Sequence, residues 1–273
     1  VLDHEIIKNA MRLISMDKYK TPSLSDQVNG DFDLAFQRRE LDELKNTFVA
    51  LVSHELRTPL NLMAGYLDLS IDVIENNPQQ AKEYLDVVER NTNNMIRIVQ
   101  ELTDFSRLQL GKEITYFDPI SIEDAFKQTY DLFKPNLQKK NVKLVIDFPD
   151  DVRALKYDGE SLIILFRNLV SNAVKFSANG SKVQITGIVD KSHLSITVRD
   201  WASPIPVSKA ETIFEDFRQL ENHMTRRYEG MGLGLAVARR TARFLGGNIQ
   251  LTVRDDGNTF EILLPVNDES HER

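Results

Sequence analysis

F-V-A-L-V-S-H-E-L-R-T-P-L, from Phe48 to Leu60, decides the reading of the first half of the chain. Leu34, Leu41 and Phe48 recur every seven residues, with Leu44 and Leu51 at the interleaved positions, so the segment continues a helical, coiled-coil-like stripe. His54 in such a helix projects its imidazole toward solvent. Glu55 directly after it is a carboxylate that can orient the ring and accept its proton, an arrangement suited to a nucleophile attacking a phosphoryl group. Thr58 lies four residues on and shares the face of His54. Pro59 lacks an N–H and is expected to kink the helix without ending it, because helical periodicity resumes at Leu62.

Working outward, this helix is predicted to run from about Asp33 to the turn signal Asn76-Asn77-Pro78. A second helix follows, striped by Tyr84, Leu85, Val88, Met95, Ile98, Val99, Leu102, Phe105 and Leu108, and Gly111 ends it. Two antiparallel helices with faces this broad cannot bury them as a lone hairpin. A dimeric antiparallel four-helix bundle, one two-helix hairpin per chain, buries both. Upstream, residues 1 to about 18 form a short amphipathic pattern, and Lys18 to Asp31 reads as a loop.

After residue 112 the texture changes to short β-like runs between helices. Lys143 to Phe148, Lys182 to Val189, His193 to Arg199 and Thr259 to Leu264 read as strands. Ser121 to Gln138, Glu160 to Phe176 and Gly234 to Leu245 read as helices. This is an α/β sandwich with its own core, and 273 residues agree with two domains. The formal charge of −7 argues against a nucleic-acid partner. Cysteine is absent, which excludes disulfides and thiolate metal sites and fits a reducing, cytoplasmic compartment. No apolar run approaches the roughly 18 residues of a membrane span. Since the first residue is Val1 and not Met, a sensor domain, with any membrane anchor, is expected upstream.

Two further segments carry chemistry. In R-N-L-V-S-N-A-V-K-F-S, Arg167 to Ser177, Asn168 and Asn172 share one helical face and Lys175 lies one turn beyond. Amides in an apolar helix are costly to bury unpartnered, and a carboxamide oxygen suits Mg²⁺. The bland reading is a pair of surface amides. In E-G-M-G-L-G-L-A-V-A-R-R, Glu229 to Arg240, the glycines Gly230, Gly232 and Gly234 flank Met231 and Leu233 and let backbone approach phosphates at a helix start. Alone, such a run is more often a flexible turn.

Together these segments resemble the sensor histidine kinases of two-component systems, from about Arg38 to Pro265. L-V-S-H-E-L-R-T-P-L is similar to their phosphoacceptor box. The asparagine helix resembles the N-box of the GHKL ATPases, and the glycine run resembles the box that closes their nucleotide lid. The resemblance implies a GHKL (Bergerat) ATPase fold for the second domain, with ATP and Mg²⁺ as cofactors and Asn172 on the metal. It also implies a nucleotide site built from Asn168, Asn172, Lys175, Asp200, Phe217, Arg226, Gly230, Gly232, Leu233 and Gly234. Arg227 is an alternative to Arg226, and Phe214 reads equally as part of a phenylalanine box or as core. His54 is then the phosphorylated nucleophile, with Glu55 and Thr58 beside it. The implied partners are a second copy of the chain, a response regulator receiver domain and an upstream sensor. The domains read as 1–37 (linker), 38–111 (dimerisation and phosphotransfer), 112–266 (ATP binding) and 267–273 (tail).

The chain departs from the family at one box. Where D-x-G-x-G is expected it has Asp200-Trp201-Ala202-Ser203-Pro204. The aspartate that accepts the adenine amino group in the family is kept, but both glycines are lost. Ala202 adds a methyl and Pro204 removes an N–H, which is expected to weaken ATP binding. This motivates a rival reading, a pseudokinase scaffold. A chaperone-type or mismatch-repair-type GHKL ATPase is a further alternative, though it needs no phosphoacceptor box.

Overall fold

The computed structural model describes residues 30–109, 118–218 and 231–266, with side chains from 48 to 108 in the first stretch. The chain divides into two compact units, one ending at Lys112 and the next beginning at Glu113. Residues 1–29, including the short pattern expected there, lie outside the described residues.

The first unit is a hairpin of α1 (Gly30–Val73) and α2 (Pro78–Gln109). α1 passes through Pro59 without a break in its helical assignment. It stops where the amides of Asn76 and Asn77 both turn back onto the Val73 carbonyl, at 3.1 and 2.7 Å. Asn77 then caps α2. Its Oδ1 accepts from the Gln80 N–H at 3.2 Å, and its Nδ2 donates to Gln80 Oε1 at 3.1 Å, a reciprocal pair that satisfies a helix-start donor. Pro78 occupies the first helical position, where no N–H is needed.

Phe48 stacks on Phe105 with ring centroids 6.2 Å apart, and Tyr66 meets Tyr84 at 5.6 Å. Early residues of α1 thus face late residues of α2, as an antiparallel pair requires. The α2 stripe is wider than this seam. Ile98, Leu102 and Phe105 are buried, whereas Leu85 and Val99 of the same stripe are exposed, as are Leu67 and Ile71 on α1 and Ile74 just after it. One neighbouring helix covers only one edge of a broad apolar face.

The second unit opens with β1 (Pro119–Ser121), α3 (Ile122–Lys140), β2 (Lys143–Asp147), α4 (Asp150–Ala154), β3 (Lys156–Asp158) and α5 (Gly159–Phe176). It continues with β4 (Lys182–Val189), β5 (His193–Asp200), α6 (Gly234–Phe244), β6 (Asn248–Arg254) and β7 (Gly257–Pro265). The five-stranded sheet has the order β2-β4-β5-β7-β6, with β2 parallel to β4 and the other pairs antiparallel. Burial alternates strictly along β5, so a single face of the sheet is covered. Phe126 of α3 meets Phe148 and Phe166 edge-on, each at 5.6 Å, at the centre of that core. Ser121 caps α3 by accepting from the Asp124 N–H at 3.0 Å, and Asp158 caps α5 through the Ser161 N–H at 2.8 Å.

Four elements are absent from the sequence reading: β1, α4, β3 and β6. The first three are five residues or fewer and hold no full period of any pattern. β6 is different, because Ile249, Leu251 and Val253 alternate cleanly with polar residues between Gly247 and the Asp255-Asp256-Gly257 turn.

Phe166 is fully buried and touches Phe126, so Phe166→Ala is expected to destabilise the second unit by about 3–5 kcal/mol. Denaturant unfolding of the chain measures this, and a change under about 1 kcal/mol would contradict the packing described.

Candidate active site

His54 stands on α1 with 69% of its side chain exposed, whereas Glu55 is 6% exposed. Neighbours on a helix point about 100° apart, which is how one faces water and the next does not. His54 Nδ1 lies 3.7 Å from Glu55 Oε1, close enough for an ion pair but beyond hydrogen-bond reach. Thr58 is exposed, and its hydroxyl donates to the His54 carbonyl at 3.2 Å, which leaves its oxygen lone pairs to face solvent. The ring sought from the sequence is therefore accessible, with a carboxylate and a hydroxyl beside it.

α5 brings the asparagines to one side. Asn168 is buried, and its Nδ2 donates to the Ile164 carbonyl one turn back at 2.8 Å. A methyl on Gly234 would stand 3.2 Å from Asn168 Oδ1, so this amide lies against the start of α6. Asn172 is half-buried, and its side chain has no hydrogen-bond partner among the described residues. Lys175 is half-buried, with Nζ 5.1 Å from the Phe176 ring centroid. The helix end is clamped by Lys140 of α3, whose Nζ donates to the carbonyls of Val174, Lys175 and Ser177 at 3.0, 2.7 and 3.2 Å. Burial pulls the Lys140 pKa below its ordinary value.

At the glycine run, Gly232 has φ +73°, and a methyl there would stand 2.5 Å from the Arg218 carbonyl oxygen. Only glycine fits that approach. Leu233 has its side chain fully buried, so only its backbone can face a ligand there. No side chain caps α6, so its first N–H groups are left to solvent or an anion. Phe217 is half-buried at φ +61°, a costly conformation for an aromatic residue. Phe214 resolves as core, edge-on to Phe260 at 6.4 Å. Arg226, Arg227 and Gly230 lie outside the described residues.

Asp200 closes β5 and is buried. Its Oδ1 accepts from the Ala202 N–H and from Asn258 Nδ2, both at 3.0 Å. Burial pushes its carboxyl above the usual carboxylate range, against the opposing pull of those donors. Trp201 is held between two cations, with Lys182 Nζ 4.2 Å and the Arg199 guanidinium carbon 4.7 Å from its ring. Asp256 in turn holds Arg199 through two bonds of 3.0 and 2.8 Å.

Residues 44–111 match the family model of the His Kinase A (phospho-acceptor) domain, and residues 157–268 match that of the histidine kinase-, DNA gyrase B-, and HSP90-like ATPases. The chain belongs to the sensor histidine kinases of two-component systems. The chain is 32% identical over 270 residues to the signal transduction histidine-protein kinase BarA of Escherichia coli (strain K12), covering 94% of this chain and 28% of BarA. It is 32% identical over 245 residues to the sensor protein GacS of Pseudomonas syringae pv. syringae, covering 87% of this chain and 27% of GacS. The chain thus spans little more than a quarter of those relatives. The solved complex of histidine kinase ThkA with response regulator protein TrrA has the same fold, with a TM-score of 0.62 and 22% identity over 88% of this chain and 67% of that one. Among the described residues, no helix is long and apolar enough to cross a membrane.

Sequence reasoning missed two residues that hold the candidate site residues in place. Lys140 acts on α5 from 34 to 37 positions away, and nothing local signals that. Asn258 was findable. It shares the parity of Phe260, Ile262 and Leu264 on β7, the buried face, and a buried amide needs partners.

The raised Asp200 pKa sets a pH dependence. The folded kinase holds the proton more tightly than the unfolded chain, so the cost of the buried charge is largest above the folded-state pKa. It fades as pH falls through that value toward the unfolded value of about 4. Asp200→Asn is therefore expected to raise the thermal midpoint at pH 7 to 8, with the gain shrinking in acid. Calorimetry across pH measures it, and a gain that grows in acid would contradict the burial argument.

Proposed function

We propose that this chain is the kinase core of a sensor: it phosphorylates itself on His54 from ATP and passes the phosphoryl group to an aspartate of a response regulator receiver domain. The observation that carries the proposal is the exposed imidazole of His54 beside Glu55 at 3.7 Å, on a helix inside the phospho-acceptor match. The ATPase match in the same chain supports the source of the phosphoryl group.

A neutral His54 nitrogen attacks the γ-phosphorus. The N–P bond forms as the bond from that phosphorus to the bridging oxygen breaks, ADP leaves, and Glu55 takes the proton from the other ring nitrogen. Positioning and charge stabilisation supply most of the rate. Asp200 accepts from the amino group of the base, α6 offers its uncapped N–H groups to phosphate, and Lys175 and Arg226 add positive charge. Gly230, Gly232, Gly234 and the Leu233 backbone form the lid hinge. Asn172 fits Mg²⁺ by chemistry, being a carboxamide oxygen with no partner among the described residues. The ion, when bound, neutralises phosphate charge. Asn168 acts from beneath, holding α5 against Gly234, and Phe217 borders the lid.

The apolar faces that one hairpin leaves exposed on α1 and α2 support a homodimeric bundle over 38–111, preceded by a linker and sensor and followed by the ATP-binding domain at 112–266. A cytoplasmic setting suits ATP and a receiver partner. Thr58 orients water for the dephosphorylation of that partner, since its donor is spent on the His54 carbonyl and its lone pairs are open.

With γ-labelled ATP, the chain is expected to take up acid-labile, base-stable label that disappears in His54→Gln. Label that persists in that variant, or none in the wild type at millimolar ATP, sinks the kinase reading, and the second outcome favours a scaffold. Asn172→Ala is expected to slow labelling by about 100-fold, the worth of a lost metal contact. Thr58→Ala is expected to leave labelling within about twofold while slowing regulator dephosphorylation by about tenfold, measured with purified phosphorylated receiver.

A further inference from the structure

The segment after β5 lacks the glycines that the family uses there, yet the structure holds it in place. One buried side chain does most of this. Asn258 stands opposite Asp200 in the β5–β7 register and is 3% exposed. Its Nδ2 donates to Asp200 Oδ1 at 3.0 Å and to the Ser203 carbonyl at 3.3 Å, and its Oδ1 accepts from the Ile205 N–H at 2.8 Å. The amide orientation follows from its partners, two acceptors on one side and a donor on the other. Three points of the segment 200–205 are thus tied to a single side chain.

The approach of β7 depends on Gly257. It has φ +152°, and a methyl there would stand 2.1 Å from the Asp200 carbonyl oxygen. With Asn258 and the Ala202 N–H both on Oδ1, the lone pairs of that oxygen are used. Only the second oxygen of Asp200 is left to accept from a ligand. The carboxylate is held by donors that do not belong to the ligand, the Ala202 N–H and the side-chain and backbone amides of Asn258, which is preorganisation.

We infer that Asn258 is a positioning residue for base selection: it fixes the Asp200 carboxylate so that one oxygen is presented to a purine carrying an exocyclic amine, and so makes the site reject a purine carrying an oxo group there. The inference rests on the reading of Asp200 as the acceptor for the base.

The test is equilibrium binding of ATP and of inosine triphosphate, whose oxo group replaces the amine, to the full chain. The variants are Asn258→Leu, Asn258→Thr and Asp200→Asn. Wild type is expected to prefer ATP by more than about tenfold. Asn258→Leu should cut that preference by about tenfold, through weaker ATP binding with inosine triphosphate within about twofold. Asn258→Thr, which keeps a hydroxyl donor, should retain part of it. A role in stability alone weakens both nucleotides together and leaves the ratio untouched. Should Asn258→Leu fail to fold, Asn258→Thr decides. If Asp200→Asn lowers the ratio while a folded Asn258 variant keeps it within twofold of wild type, the positioning role is overturned and Asp200 stands. If Asp200→Asn leaves the ratio unchanged, the reading of Asp200 falls and the inference falls with it.

Discussion

Consecutive residues on an α-helix point about 100° apart, and the first unit turns that angle into chemistry. Glu55 is taken out of water while His54, the next residue back, is left 69% exposed. A solvated nucleophile and a desolvated carboxylate want opposite environments, the ring to meet a reactant and the acid to hold its orientation. One helical step supplies both. Because α1 is helical from Gly30 to Val73, any rotation of its early turns would turn the pair as a unit.

In the second unit the corresponding constraint is that buried polar groups must be partnered. Asn168 satisfies it on its own helix, at the Ile164 carbonyl. Asp200 satisfies it through Ala202 and Asn258, and the end of α5 satisfies it through Lys140. Asn172, on the same face as Asn168, is only half-buried, and its amide has no partner among the described residues, so it is open to a ligand. The contrast between two asparagines four residues apart separates a structural amide from a binding one, and spacing alone does not make that distinction.

That contrast marks the limit of what the sequence makes legible. The hairpin, the three long helices of the second unit and four strands of its sheet follow from periods that span a whole element. β6 carried the same kind of signal in Ile249, Leu251 and Val253. Site residues within contiguous boxes, such as His54, Glu55, Asn172 and Gly232, were legible because local spacing sets which face they take. Lys140 was not, since its partners come from an element joined to its own only by folding, whereas the burial of Asn258 could be read from its parity on β7 but its partners could not. For Leu233, spacing marks a helix start with exposed backbone but does not show that the side chain itself packs into the core.

The altered box after β5 illustrates how such a site tolerates lost glycines. Ala202 and Pro204 were expected to harm the site through a methyl and a missing N–H. Ala202 instead spends its own N–H on Asp200, and Pro204 is exposed, where a missing donor costs nothing. Close backbone approach is still needed, but on the facing strand: Gly257 is the residue whose methyl would collide with the Asp200 carbonyl. Glycine is thus required where two backbones converge. Holding the aspartate needs donors on Oδ1, and these come from the Ala202 backbone and from an amide on the next strand. The first requirement cannot be shared with another residue type, whereas the second can, and in this chain the loop and β7 each supply a donor.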